Sequence, residues 1–457
     1  MSTKGIDLTQ GSILKRLIAI AAPIMAMQIF QMAYNLIDMF FLGQISTDAV
    51  AAAGSAGMFL WLSVAFFVIG QLGAEIGVSQ STGKGDMETA RKYAKNAILI
   101  AFILSIIVGL ITTFFSEQLI SFLRIRETHV AIDSAVYLRI VGFAFPFVFV
   151  NSAISGVYNG VGNSKLPFYL KSIGLVFNVV ITPIFIFVLG WGIVGAAVAT
   201  ALGHTATGLL LLFSVKHPKL CPFDNFKFKE IFVPDKAIVR QIFKWSLPIS
   251  LDSGLFTFLT MIIAIFVARF GYGAIAAQRV GTQIESLSWL VGGGYAAAFR
   301  AFVGQNYGAR KFDRLKKGYR LSAIAMSLWG LGVGLVMFFA GGPIFRLFIQ
   351  EPEYVAMGVS YMRILAVVQI AQCMDGVSAS AFDGLGKTLP ATIVSITFNA
   401  LRVLVAYFLS QTWLGIDGIW IGIAFGNLMR GVVLTSWYLL YSRWMYRREG
   451  EIKTQEA

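Results

Sequence analysis

The feature that most constrains this chain is a recurrence. Apolar stretches of about 20 residues, nearly free of charge, follow one another from one end to the other. Each is long enough to cross a hydrocarbon layer of about 30 Å at about 1.5 Å per residue. No water inside that layer can satisfy a backbone, so each stretch must bond to itself as a helix. The alternating segments of about ten residues that mark a membrane barrel are absent. The pattern predicts spans near 17–42, 50–75, 94–114, 131–159, 166–189, 192–215, 238–268, 274–302, 318–342, 355–382, 390–411 and 416–441. The expected fold is an all-α polytopic membrane protein with twelve transmembrane helices. Charged residues are 13% of the chain, against about 25% in soluble proteins, as expected when much of the surface meets lipid. The first span is too long for a signal-peptide core and lacks a small-residue cleavage site, so no signal peptide is expected. Cys221 and Cys373 lie far apart and suggest no disulfide.

A net charge of +14 invites a nucleic-acid reading, but its placement argues for topology instead. Most of the 37 lysines and arginines fall in one alternate set of segments. These include Lys4, Lys15 and Arg16; Lys84, Arg91, Lys92 and Lys95; Lys165 and Lys171; the run from Lys216 to Lys244; Arg310 to Arg320; and Arg443 to Lys453. The opposite loops hold Arg124, Arg126, Arg269 and Arg346. This is the positive-inside pattern, and it predicts a cytoplasmic membrane with both termini on the cytoplasmic side. No nucleic-acid partner is expected.

The chain also repeats itself at a shift of about 225 residues. Ala22-Pro23-Ile24 matches Leu247-Pro248-Ile249, and Ala49-Val50-Ala51-Ala52 matches Ala274-Ile275-Ala276-Ala277. Val78, Gln80 and Gly83 match Val303, Gln305 and Gly308. Tyr137-Leu138-Arg139-Ile140 matches Tyr361-Met362-Arg363-Ile364, and Tyr158-Asn159-Gly160-Val161-Gly162 matches Phe382-Asp383-Gly384-Leu385-Gly386. Two pseudo-symmetric six-helix lobes follow, an N-lobe over 1–215 and a C-lobe over 238–445, joined by a basic linker over 216–237 and followed by a tail over 446–457. Six spans per half set both lobes the same way up, with a binding cavity between or within them. Duplication fixes architecture rather than activity; the expectation is a transporter, with a membrane enzyme, a channel or a scaffold as the alternatives.

Ionisable groups at membrane depth are costly and default to functional hypotheses. Five acidic residues qualify: Asp38, Glu75, Asp252, Glu285 and Asp375. Gln31, Tyr34 and Asp38 follow i, i+3, i+7 on one face of the first span, with Asn35 beside them. A carboxylate among amides and a phenol can hold a proton or Na⁺. In the eighth span Gln278, Thr282, Glu285 and Trp289 form one stripe, with Arg279 available as a partner. Gln369, Gln372 and Asp375 form another in the tenth, expected to face a wet cavity. Asp252 and Asp375 can each pair with Arg300, Arg402 or Arg430, and Glu75 can snorkel from the inner end of the second span. Asn178 and Thr182 lie one turn apart in the fifth span, as do Thr200 and His204 in the sixth. No phosphate-binding glycine loop, metal-ligand cluster or nucleophile–base pair is present. An ion gradient is then the simplest energy source, no cofactor beyond H⁺ or Na⁺ is expected, and the chain is not expected to be an enzyme.

Several of these runs carry a family likeness. Asn35-Leu36-Ile37-Asp38 with Gly43, and Asn178, Pro183, Gly192, Gly195-Ala196-Ala197 and Ala199-Thr200, resemble the multidrug and toxic compound extrusion (MATE) family. So do Val303-Gly304-Gln305-Asn306-Tyr307-Gly308-Ala309 and Asp383-Gly384-Leu385-Gly386-Lys387-Thr388. The resemblance implies a twelve-helix antiporter that exports organic cations, drugs or metabolites against inward Na⁺ or H⁺ by alternating access. Carried over by position, it places an ion and proton site, and Na⁺ if that is the ion, at Asp38, Asn178 and Thr200, with Gln31, Tyr34 and Asn151 bordering the cavity.

Two departures stand out. Thr182 replaces an aspartate the family often has before the proline of the fifth span. Phe256 and Gln372 stand where many members are acidic in the seventh and tenth spans, with Asp252 and Asp375 one turn away. The expected coupling set is therefore Asp38, Asn178, Thr182, Thr200 and Glu285. The expected cavity wall is Gln31, Tyr34, Asn35, Asn151, His204, Asp252, Gln283, Gln372 and Asp375. The expected partners are the bilayer and a small cationic amphipathic substrate, with the protein a monomer. The alternative is a flippase for a lipid-linked or amphipathic substrate, which Arg279, Arg300 and Arg402 would serve.

Overall fold

The computed structural model describes residues 5–125, 127–224, 226–349 and 351–456. Lys4 and Arg126, two of the charges named above, lie outside the described residues, as do the side chains of Arg448 and Lys453.

The elements are helices: α1 (Ile13–Ile45), α2 (Thr47–Lys84), α3 (Met87–Phe114), the short α4 (Ser116–Ser121), α5 (Thr128–Gly142), α6 (Phe145–Gly160), α7 (Lys165–Pro183), α8 (Gly192–Lys216), α9 (Lys236–Ala268), α10 (Tyr272–Gly308), α11 (Phe312–Arg346), α12 (Pro352–Gly384), α13 (Thr388–Ser410) and α14 (Ile416–Glu456). Ten of them are long and apolar enough to cross a membrane, and α5 with α6 forms an eleventh span bent by 52°. The twelfth is α10, whose Gln278, Arg279, Gln283 and Glu285 lower its hydropathy below the others.

The fourth span, read as one helix over 131–159, is thus broken. Pro146, at the start of α6, has no N–H to give to the preceding turn, and the chain turns there. Pro23 and Pro248 stay inside α1 and α9. Past Pro183 the chain widens into a looser turn, Ile184–Val188, before α8. The tail read from 446 onward continues α14 to Glu456.

The two lobes are α1–α8 and α9–α14, and their first helices are exchanged at one end. The first turns of α1, Leu17, Ile20 and Ala21, join a C-lobe core with Tyr295, Phe299, Phe302 and Phe382. Reciprocally, Ile242 of α9 is buried in an N-lobe core with Ile69, Ala74 and Val78. Both exchanges lie at the basic end, which carries the linker. The linker itself docks there: Lys95 of α3 pairs with Glu230, and the Asp235 N–H donates to Asn96 Oδ1 at 2.9 Å.

Residues 5–11, counted above with the N-lobe, also bridge the lobes at this end. Ile6 N donates to Gly162 O at 2.9 Å, and Leu8 N donates to Gln305 Oε1 at 3.0 Å. Arg314 of α11 donates to the carbonyls of Leu8, Gln10 and Gly11. Leu8 itself is fully buried.

Candidate functional sites in the two lobes and between them

Between the lobes, α2 and α10 cross at the basic end through residues that the internal repeat makes equivalent. A Cβ on Gly83 would collide with the Gln305 carbonyl, and one on Gly308 with the Gln80 carbonyl. Glycine is required at both places because backbone meets backbone. Gln80 Nε2 donates to Gly384 O at 2.9 Å, and Gln305 Nε2 donates to Gly160 O at 2.8 Å. The two bonds are the same contact made twice across the pseudo-twofold axis.

At the next level the symmetry is broken by charge. Arg300, equivalent to Glu75, pairs with it at 3.2 Å and with Asp383 at 3.3 Å. Glu75 is 0% exposed, so it does not snorkel. Arg300 is held by these two acids and not by Asp252 or Asp375.

In the N-lobe, Asp38 of α1 is half-buried, and its Oδ1 is buried without a hydrogen-bond partner. Tyr34, one turn before it, lies 3.4 Å from the Thr200 hydroxyl of α8. Tyr137 of α5 faces the same hydroxyl, and both phenols lie within electrostatic reach of Asp38. Thr182 donates to Asn178 O at 2.8 Å and stands 3.1 Å from Asn178 Oδ1. The threonine that replaces the expected aspartate is therefore spent within α7. Gln31 donates to Asn35 Oδ1 at 3.3 Å, and Asn35 is exposed. Asn151 is buried on α6 with its Oδ1 unpartnered, and α6 packs on α2, α3 and α8.

His204 lies one turn from Thr200, and Lys171 is its electrostatic neighbour. Lys171, read as part of a basic loop segment, sits well inside α7.

In the C-lobe, Glu285 of α10 is 2% exposed and accepts a hydrogen bond from Tyr361 Oη at 2.9 Å. Gln372, with its amide oriented to suit its neighbours, donates to Glu285 Oε1 at 3.2 Å and accepts from Trp289 Nε1 at 2.8 Å. Arg279, considered as the partner of Glu285, is exposed. Gln283 is also exposed, because two residues along a helix turn it about 160° away from Glu285.

The stripe Gln369, Gln372 and Asp375 turns toward neighbouring helices. Gln369 is fully buried and accepts from Ser288 Oγ at 3.2 Å. Asp375 pairs with Arg430 of α14 at 2.7 Å. Only part of the stripe faces a cavity, one of about 160 Å³ lined by Trp289, Gly292, Met326, Gln372 and Asp375. Asp252 faces Arg430, Ser395 and Arg402, with its Oδ1 buried and unpartnered. Arg402 donates to Thr260 Oγ1 at 2.9 Å and stacks 4.7 Å above the Phe256 ring. At the position where the resemblance implied an acid, Phe256 gives its aromatic face to the Arg402 guanidinium.

Tyr137, Tyr361 and Arg430 complete these clusters and were not singled out from the sequence as site residues. The repeat carried the signal for two of them, since it aligns Tyr137 with Tyr361, and each faces a carboxylate of its own lobe.

A model of the MatE family matches residues 23–184 and 248–408, one stretch in each lobe. The Probable multidrug resistance protein NorM of Thermotoga maritima is 25% identical over 446 residues, covering 95% of this chain and 93% of that protein. The Probable multidrug resistance protein YpnP of Bacillus subtilis is 28% identical, covering 96% and 98%. Among solved structures, a MATE protein in complex with MaD3S has a TM-score of 0.90 at 23% identity, covering 98% of this chain and all of the other. A MOP superfamily transporter from Pyrococcus furiosus has the same TM-score at 22% identity, covering 97% and 99%. These structural likenesses show a shared fold of two six-helix lobes.

Proposed function

The chain belongs to the MatE family, and on that premise we propose that it is a cation-coupled antiporter that exports small amphipathic molecules across a cytoplasmic membrane. The observation that carries the reading is the unpartnered, buried Oδ1 of Asp38. An ionised carboxylate that leaves a buried oxygen without a donor is costly, and a proton or a Na⁺ ion removes the cost. Asn178 and Thr200 would supply further oxygens to the ion. Tyr34, hydroxyl to hydroxyl with Thr200, would report occupancy to α8.

The contacts at the basic end close one side of the lobe interface. With that end cytoplasmic, the molecule faces outward, the state in which an inward-driven ion loads. Loading works only if the ion binds this state more tightly than the other, since a ligand that binds both equally shifts nothing. A single charge crossing the membrane supplies about 2.3 kcal/mol per 100 mV, so one or two ions drive appreciable accumulation. The C-lobe cavity beside Trp289 and Asp375 offers an aromatic face and a carboxylate to a cationic part of the substrate. The flippase alternative needs free guanidinium groups for a pyrophosphate. Arg300 is bound to two carboxylates, Arg402 is engaged by Thr260 and the Phe256 ring, and Arg279 is outside the clusters.

The test is efflux of a fluorescent organic cation from inverted vesicles, with Na⁺ and pH gradients imposed separately. Dependence on one gradient, lost in Asp38→Asn while the protein stays folded, is the expected result. Efflux that ignores both gradients, or survives Asp38→Asn unchanged, overturns the reading.

A further inference from the structure

The coupling scheme leaves two basic side chains of the N-lobe without a role. Lys171, Gly174, Asn178 and Thr182 follow i, i+3, i+7, i+11 and share one face of α7. Ile173, Val176 and Val180 occupy the other side, 55%, 63% and 56% exposed, as expected of a face against lipid. The Lys171 face packs on α8. A Cβ on Gly174 would collide with Thr207, and one on Gly203 would come within 2.8 Å of the Asn178 Cβ. Thr200, His204 and Thr207 lie on the matching side of α8, with Leu202, Leu209 and Phe213 exposed on its far side. The two bases therefore stand side by side within the lobe, toward the basic end from the Asp38–Thr200 cluster, by one turn along α8 and two along α7.

Neither base has a counter-charge among the described residues. Among the described residues the ion pairs join other groups, and the only electrostatic neighbour of His204 is Lys171, a like charge. The arginines of the clusters between and within the lobes, Arg300, Arg402 and Arg430, each have a carboxylate or a hydrogen-bonding side chain close to them. A lysine amine beside an imidazole, turned away from lipid and lacking an acid, is an arrangement whose missing partner is an anion.

We infer that Lys171 and His204 are a receptor for the acidic group of an amphipathic substrate, a carboxylate, sulfonate or phosphate monoester carried by an organic anion or a zwitterion. The amine supplies a mobile point charge, and the ring supplies a directed N–H; an anion between them takes hydrogen bonds from both. The apolar body of such a molecule lies against the lobe wall, and its acidic end points to the basic end of the bundle. This deepens the antiport reading and rests on it for the direction of transport. The binding step itself does not depend on coupling.

The test uses the full-length protein in nanodiscs and a matched pair of probes, tetramethylrhodamine and its methyl ester, which differ by one carboxylate. Affinities are read by fluorescence anisotropy, first in phosphatidylcholine discs. The wild type is expected to prefer the acid to the ester. Lys171→Gln and His204→Gln should each lower the acid-to-ester affinity ratio about tenfold, the loss of one charge-assisted hydrogen bond, and Lys171→Arg should keep most of it. Discs of phosphatidylglycerol separate two sources of the anion. A preference that persists there assigns the site to a soluble substrate, and one that is competed away assigns it to a lipid headgroup; either outcome supports an anion receptor. Equal affinities for acid and ester in the wild type, or a ratio that neither glutamine variant moves, overturn the inference. Because the ratio needs no gradient, it can hold while gradient-driven efflux fails, and the reverse, so the two readings are separable.

Discussion

Arg300 is the position at which a single change should move both stability and conformation. Its guanidinium joins Glu75 of α2 to Asp383 of α12. Glu75 is fully buried and Asp383 is 5% exposed. One oxygen of each, Glu75 Oε1 and Asp383 Oδ1, already lacks a partner, so the arginine carries nearly all of the compensation. Removing one member of a buried pair costs about 3–5 kcal/mol, because the remaining charge is stranded. Glu75 and Arg300 belong to different lobes, so separating the lobes at this end lets water reach the carboxylates. If about 2 kcal/mol of the penalty is relieved that way, the open-to-closed ratio at the basic end rises about 30-fold.

The assay is labelling of a buried reporter at the seam, Ser79→Cys on α2, by a membrane-impermeant maleimide applied from the basic end, with Cys221 and Cys373 replaced by serine. Ser79 is 0% exposed and faces Gly304 of α10, so its labelling rate follows the open population. Arg300→Ala should raise that rate by one to two orders of magnitude and lower the melting temperature in detergent. Adding Glu75→Gln and Asp383→Asn should return most of both effects, since the stranded charges are then gone. Labelling unchanged in Arg300→Ala, or a triple variant no better than the single one, would refute the electrostatic account of this closure.

The other expectations concern the same seam and the C-lobe cluster. Gly83→Ala drives a methyl into the Gln305 carbonyl, an overpacking that should cost about 1–3 kcal/mol and speed labelling of the same reporter. Gln80→Ala and Gln305→Ala each remove one of the equivalent bonds, worth about 1 kcal/mol apiece. A double-mutant cycle on thermal stability should show coupling, because both bonds depend on the same approach of the lobes. Tyr361→Phe removes the hydroxyl 2.9 Å from Glu285. It should cost about 1.5–3 kcal/mol in thermal stability if Glu285 is ionised, since the bond is then to a charge, and Glu285→Gln should suppress most of that difference.

The residues differ in how openly the sequence displays them. Asp38, Glu285 and Asp375 were visible because a carboxylate in an apolar stretch of about 20 residues has no neutral explanation. The partner each acid finds was not visible. Arg300 and Arg430 stood as equal candidates for Asp252 and Asp375, and only packing assigns Arg430 to Asp375 and gives Arg300 to Glu75 and Asp383. Gln283 looked as polar as Gln278 or Gln372, yet helical phase turns it away from Glu285. Lys171 looked like a loop charge because it follows Lys165 closely, and the length of α7 places it inside the lobe.

What the sequence determined alone was membership of the membrane class, the number of spans, the duplication and the basic end. Each follows from local composition or from comparison of the chain with itself, and hydrocarbon leaves a backbone almost no choice but helix. The tertiary structure alone decided which side of the lobe interface is closed and which charges meet there. Those facts come from contacts between residues 83 to 304 positions apart, where equivalent glutamines bond alike while equivalent Glu75 and Arg300 attract. No window along the chain contains both members of such a pair.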